Sequence, residues 1–179
     1  MTSERDRAEL IRIAREAVRA RVGGLAFQAP AVEAALAQPA AAFVTLHRAG
    51  VLRGCIGHLQ SNLPLARVVA QCAASAATED PRFPPVTPEE VAALDIELSV
   101  LGPLEPVAAI DDVVIGRHGL VVESGWKRGL LLPQVATEWK WDAKAFVEQT
   151  CQKAGLARDA WPRGGAKLFR FEAEVFGER

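Results

Sequence analysis

The sequence has few cysteines, no excess of charge of either sign and no long apolar run. Its 179 residues include three cysteines, and 21 Lys and Arg stand against 22 Asp and Glu, for a formal net charge of -1. An odd number of cysteines without Cys-x-x-Cys spacing favours a reduced cytoplasmic protein over a disulfide scaffold. The balanced charge excludes nucleic-acid binding driven by bulk positive charge. No run approaches the roughly 20 apolar residues of a membrane span, and the first residues lack the apolar core of a signal peptide. We therefore expect a soluble cytoplasmic protein with no membrane partner.

Motifs that define many cofactor enzymes and metalloproteins are also missing. The sequence has no phosphate-binding loop, no dinucleotide fingerprint, no Gly-x-Ser-x-Gly elbow and no paired metal-ligand spacing such as His-Glu-x-x-His. Three cysteines cannot by themselves form a four-cysteine iron–sulfur site. We expect no cofactor and no protein-held metal.

The hydrophobic pattern predicts an α+β fold. An amphipathic helix is expected over 3–22, and residues 42–57 alternate around a tight turn as a β-hairpin. Residues 95–101 alternate as a half-buried strand. Strands come as hairpins separated by helices, which favours an antiparallel or mixed sheet packed with helices. Further elements are predicted as a helix over 61–78, strands over 113–115, 119–123 and 169–175, and a helix that begins at Asp142 and ends at Gly155.

Cys55 is the residue that stands out chemically. It lies in the segment Arg-Gly-Cys-Ile-Gly at 53–57, between glycines that permit a positive φ or a close approach of a ligand to the backbone. Arg53 and the start of the following helix both favour the thiolate, the reactive form of cysteine. Cys72 and Cys151 instead fall on apolar helical stripes, which is typical of small buried residues. The segment also fits a glycine-rich bend in which Cys55 is selected only for its size.

A cysteine nucleophile needs a base, and several side chains qualify. His58 is three residues away, His47 lies across the hairpin turn, and His118 comes from a distant loop. Glu97 lies on the polar face of its strand, where it is a general base if that face lines a cleft and otherwise a solvated residue. The sequence leaves this choice open.

A second candidate for anion binding, besides Arg53, is Arg82. It follows Asp80 in the segment Asp-Pro-Arg-Phe at 80–83. This segment is interpreted either as an ion pair that shapes a rigid loop or as an arginine that binds an anion.

The six residues Leu-Arg-Gly-Cys-Ile-Gly at 52–57 resemble the signature of the AMMECR-domain family, known in prokaryotes as AmmeMemoRadiSam system protein A. Similar segments follow in order along the chain, so the resemblance extends from about Leu10 to Phe176. The other matching segments are 43–46, 80–83, 96–101, 118–120, 131–136 and 151–156.

The resemblance implies an α+β fold of two subdomains, the larger over about 1–110 plus 143–179 and the smaller over about 111–142. It also implies association with a Memo-like protein and a radical S-adenosylmethionine (radical SAM) enzyme, but no particular reaction. His118 and Glu97 fall in matching segments, whereas His58 follows the signature without belonging to it.

The first of two functional hypotheses is a ligand- or partner-binding accessory component that works with the Memo-like and radical SAM proteins. We favour it because no complete catalytic constellation can be assembled from the sequence. Its candidate binding residues are Arg53, Gly54, Gly57 and Arg82.

The second hypothesis is an enzyme that acts on a small anionic substrate. Cys55 would be the reactive nucleophile, Glu97 or His118 the base, and Arg53 the residue that holds the substrate. The sequence alone does not decide whether the protein is an enzyme.

Overall fold

The structure is a computed structural model that describes residues 2–32, 34–58 and 61–178. The chain divides into two compact units, one formed by Met1–Val100 with Glu174–Arg179 and the other by Leu101–Ala173. The second unit is longer than the smaller subdomain expected at about 111–142, since it also includes residues 101–110 and 143–173.

The first unit contains two helices and a sheet. Helices α1 (Glu4–Val22) and α2 (Leu65–Thr78) accompany strands β1 (Ala41–Arg48), β2 (Val51–His58) and β3 (Leu94–Leu101). The last strand of the chain, β7 (Lys167–Gly177), begins in the second unit and ends in the first. The strand order in the first unit is β2-β1-β3-β7, with β1 and β2 antiparallel.

Helix α1 forms where the amphipathic pattern predicts it. Ser3 and Asp6 make a capping box at its start, and the N–H of Gly23 closes its last turn on the carbonyl of Arg19. The apolar side chains of α1 and α2 are buried in one core with alternate residues of β1 and β3. Those core residues of α1 are Leu10, Ile13, Ala14, Ala17 and Val18.

The arginine-rich face of α1 is held by ion pairs. Arg12 bridges Glu9 and Glu16 on the same helix. Arg7 pairs with Glu174, and Arg15 pairs with Glu178, so the end of the chain is bound to the first helix.

The second unit contains the other strands and helices. Its strands are β4 (Glu105–Pro106), β5 (His118–Ser124), β6 (Lys127–Leu131) and the first part of β7. β5 pairs with both β6 and β7, β4 pairs with β7, and all these pairs are antiparallel. Helices α3 (Pro133–Glu138) and α4 (Ala143–Lys153) complete the unit. Its core includes Leu120, Val122, Phe146, Val147 and Leu168.

These elements confirm the predicted α+β class, with antiparallel strands and packed helices. The strand predicted over 113–115 is wrong, because this segment is a turn. The N–H of Val114 donates to Nδ1 of His118, its carbonyl accepts from the N–H groups of Arg117 and His118, and Gly116 has a φ of 81°. Its backbone groups are therefore used locally and cannot join a sheet ladder. Over the described residues, no helix is long and apolar enough to cross a bilayer.

Candidate functional site

The β1–β2 hairpin places Cys55 directly opposite Thr45. The Thr45 hydroxyl donates a hydrogen bond to the Cys55 sulfur at 3.3 Å. Burial raises the pKa of the Cys55 thiol, an effect opposed by the Thr45 hydroxyl and by Arg82 and reinforced by Asp80 and Glu97. The net upward direction means that the thiol is less ionised at neutral pH than an ordinary cysteine.

The Asp80 carboxylate connects the segment after α2 to the backbone of β2. It accepts the N–H of Cys55 at 2.9 Å and the N–H of Arg82 at 3.1 Å. The Arg82 guanidinium reaches both carboxylate oxygens, at 3.0 and 2.7 Å. These bonds, led by those from the Arg82 side chain, hold the pKa of Asp80 far below its usual range. The ion pair proposed from the sequence at 80–83 is therefore present.

Arg82 nevertheless keeps an open side. Its side chain is 54% exposed, while that of Asp80 is 3% exposed. The guanidinium also lies over the ring of Phe83, 5.4 Å from the ring centroid. Arg82 thus presents a fixed positive charge to solvent beside the half-buried thiol.

Arg53 is occupied by the protein itself. Its guanidinium donates to both carboxylate oxygens of Glu90 at 3.0 and 2.9 Å. It also donates to the carbonyls of Pro84 and Pro85 at 2.8 and 3.3 Å. Both side chains of the ion pair are only 13% exposed. In this structure Arg53 anchors the segment 84–90 to β2, which leaves little of it for an anionic ligand.

The two glycines of the signature are explained by packing. Neither has a positive φ. A Cβ on Gly54 would lie 2.2 Å from the carbonyl oxygen of Ala76, because α2 passes directly over this point of the strand. A Cβ on Gly57 would lie 2.3 Å from the ring of Phe43. The close approach expected from these glycines is real, and it is made by the protein's own groups.

Among the described residues, neither His47, His58 nor Glu97 hydrogen-bonds the Cys55 thiol. Gly54 faces α2, so strand alternation puts His58 on that same face and Cys55 on the opposite one. His47 shares the Cys55 side of the hairpin with Thr45. A separation of three residues along a strand therefore points the His58 side chain away from the face that carries Cys55.

Glu97 and His118 have different positions. Glu97 is in the middle of β3, half-buried, and its charge acts on the Cys55 thiol. His118 begins β5 in the second unit, is 5% exposed and accepts the N–H of Val114 at 3.0 Å. Burial lowers the pKa of His118, and Arg170 and Arg117 act in the same direction. The structure therefore groups Cys55 with Glu97 and Arg82, while His118 has its own set of contacts in the other unit.

Three contributors to this region were not selected as site residues from the sequence: Thr45, Asp80 and Glu90. A buried arginine requires an acidic partner, but the sequence shows neither that Arg53 is buried nor that Glu90 is its partner. Nothing in the local pattern identifies Thr45, because the cross-strand pair with Cys55 depends on the hairpin register. Within the described part of the chain, no cluster of three or more His, Cys, Asp or Glu side chains is arranged to hold a metal ion.

An α+β fold built around this cysteine-containing hairpin defines a known class of protein. The AMMECR1 family model matches residues 11–176. The chain therefore belongs to the AMMECR1 family, which confirms the resemblance of its signature.

Individual relatives match most of the chain. A protein from Methanothermobacter thermautotrophicus is 50% identical over 142 residues, which cover 76% of this chain and 74% of that protein. A protein from Thermococcus gammatolerans is 44% identical over 181 residues, which cover 94% of this chain and 88% of that protein. The crystal structure of an uncharacterised protein from Pyrococcus horikoshii is similar, with a TM-score of 0.88 and 40% identity, over 95% of this chain and 90% of that one.

Proposed function

We propose that the protein is a non-catalytic ligand- or partner-binding component that works with a Memo-like protein and a radical SAM enzyme. One observation carries this proposal. The Arg53 side chain, the backbone at Gly54 and Gly57 and the N–H of Cys55 are all used in contacts within the protein. These contacts build a fixed surface at 53–57.

The segment 80–90 is attached to β2 at two places. Asp80 holds the N–H of Cys55, and Arg53 holds Glu90 and the Pro84 carbonyl. A surface that is already ordered loses less conformational entropy on association, so it favours binding. The exposed groups on this surface include Arg82, whose guanidinium lies over the half-buried Phe83 ring. Arginine and aromatic residues are enriched among the energetic centres of protein interfaces.

Binding to the two partners tests the proposal. We expect wild-type protein to bind the Memo-like protein or the radical SAM enzyme of the same organism in isothermal titration calorimetry. Arg82→Ala should weaken that binding about tenfold or more, since it removes the exposed charge from the surface. Cys55→Ser should retain the affinity within about threefold, because the backbone contacts of residue 55 persist.

The control variant is Arg19→Ala, which removes an exposed arginine from α1 and should leave the affinity unchanged. Circular dichroism of each variant verifies that it is folded. The proposal fails if wild-type protein binds neither partner, or if Arg82→Ala and Arg19→Ala bind equally well.

The alternative function, a cysteine-nucleophile enzyme acting on a small anion, predicts a Cys55 thiol whose pKa lies below the ordinary value. The binding function makes no such demand on the thiol. In iodoacetamide alkylation followed by mass spectrometry, we expect Cys55 to react with an apparent pKa above the ordinary value of about 8.5, because the thiol is half-buried. Arg82→Ala should raise this pKa further, and Glu97→Gln should lower it, because a positive and a negative neighbour are removed.

Cys72 is the internal reference for this experiment. It is fully buried, and burial raises its pKa to about 12, so it should react more slowly than Cys55. An apparent pKa for Cys55 below the ordinary thiol value would contradict the prediction and put the nucleophile hypothesis ahead of the binding one.

A further inference from the structure

The second unit contains a cavity of about 580 Å³ beside helix α4. Small-molecule sites usually occupy roughly 300–1,000 Å³ and combine apolar walls with a few polar groups. Here the apolar lining includes Ile110, Val147 and Trp161. Val147 is 2% exposed, and Trp161 is half-buried against the same core. The cavity is therefore lined by a tightly packed apolar side chain, Val147, and by the aromatic ring of Trp161.

The charged lining of this cavity is unbalanced. Lys144, Arg158 and Arg163 line it together with two acids, Glu148 and Asp159, so there is one more positive than negative side chain. Eleven ion pairs occur in the described parts of the chain, and none of them involves these three cations. Nor does any other described residue form a side-chain hydrogen bond with them. The cations around the cavity are thus available to an anion.

We propose that this cavity is a binding site for a small aromatic monoanion, such as an aromatic carboxylate. The ring would lie on the apolar lining next to Trp161, since aromatic pairs gain free energy beyond that of the area they bury. The carboxylate would be held by the arginines, whose planar guanidinium groups match its geometry. This site belongs to the second unit and is independent of the function proposed for the Cys55 surface in the first.

Three naphthalene derivatives of the same size distinguish charge recognition from simple apolar binding: naphthoate, naphthamide and naphthylmethylamine. In calorimetry we expect naphthoate to bind saturably below the millimolar range. The neutral amide should bind about tenfold more weakly, and the cationic amine should be weaker still. In NMR spectra, naphthoate should shift the indole N–H signal of Trp161, which is assigned by its disappearance in Trp161→Phe.

Variants of the exposed arginines test whether these side chains bind the carboxylate group. The double variant with Arg158→Ala and Arg163→Ala should bind naphthoate about tenfold more weakly while its affinity for naphthamide changes little. Lys153→Ala removes an exposed cation of α4 that is not part of the cavity lining, and it should have no effect. Because all three positions are exposed, these variants should retain the wild-type thermal unfolding curve.

Three results would overturn the proposal. One is the absence of saturable naphthoate binding in the millimolar range, and another is equal affinity for the three naphthalene probes. The third is a double variant that binds naphthoate as tightly as Lys153→Ala does.

Discussion

Gly54→Ala is expected to lower the free energy of unfolding by about 3 kcal/mol, the upper part of the usual range for overpacking. The added Cβ would lie 2.2 Å from the carbonyl oxygen of Ala76 and 3.2 Å from its carbonyl carbon. Both groups are backbone, so relief requires the strand to move away from α2, whose inner face is in the core of the first unit. For a chain of this length the melting temperature should fall by about 10 °C, measured by circular dichroism.

Two further substitutions show whether the contact with α2 is the cause. Val51→Ala, on the same strand, changes a side chain that is 69% exposed and should alter the free energy of unfolding by less than about 0.5 kcal/mol. Gly57→Ala would meet the Phe43 ring at 2.3 Å and the carbonyl oxygen of Ala42 at 2.7 Å. This backbone contact is less close than the 2.2 Å contact at Gly54, so the effect should be smaller than that of Gly54→Ala. If Gly54→Ala is as stable as Val51→Ala, there is room for a Cβ between β2 and the Ala76 carbonyl, and the packing explanation for Gly54 is wrong.

The second large effect is expected for Arg53→Ala, which should reduce the free energy of unfolding by about 3 kcal/mol. The substitution removes both hydrogen bonds from Arg53 to the half-buried Glu90 carboxylate and leaves the Pro84 and Pro85 carbonyls without their side-chain donor. Urea unfolding measures the change. Limited proteolysis should show faster cleavage within 81–88, because the segment loses its anchor to β2.

Arg48→Ala is the matched control for this experiment. Arg48 donates to the same Glu90 carboxylate at 2.8 Å, but its side chain is 53% exposed. An exposed ion pair contributes less than about 1 kcal/mol, so Arg48→Ala should cause only a small change. Equal losses from the two variants would show that burial of the Arg53 pair is not what stabilises the segment.

The Arg53 pair also makes stability depend on pH. Hydrogen bonds, chiefly from Arg53, lower the pKa of Glu90 from 4.5 to about 2 in the folded protein. A carboxyl group with a depressed folded pKa binds more protons in the unfolded chain, so its contribution is present above pH 4.5 and lost as the pH falls towards 2. The loss of stability over that window should be shallower in Arg53→Ala than in wild-type protein.

Most helices and strands can be predicted from the sequence, because apolar residues recur with the helical period in helices and alternate in strands. The α1 capping box at Ser3, the hairpin around Gly50 and the Asp142 cap of α4 are all formed by neighbours in sequence. The segment 113–115 is apolar like a strand, but the imidazole of His118 binds the N–H of Val114 and fixes a turn. A side chain that captures a backbone group overrides propensity, and periodicity does not report it.

The sequence shows Cys55 between two glycines and next to Arg53, but it does not show what these neighbours contact. The need for Gly54 comes from the backbone of Ala76, and the partner of Arg53 is Glu90, on a segment that reaches β2 only in the folded chain. Glycine beside a cysteine has the same appearance in sequence whether a ligand or a helix approaches it. Tertiary structure distinguishes the two cases, and here it assigns the glycines to packing.

The path of β7 has a consequence for the order in which the protein is made. The first unit includes Glu174–Arg179, and Glu178 binds both Arg15 and the N–H of Ile96. A ribosome delivers these residues only after the whole of the second unit has been synthesised. Until then, the edge of β3 that pairs with β7 is unpaired in the nascent first unit. An unpaired strand edge is a site for aggregation. The second unit, in contrast, is continuous in sequence and is delivered without interruption.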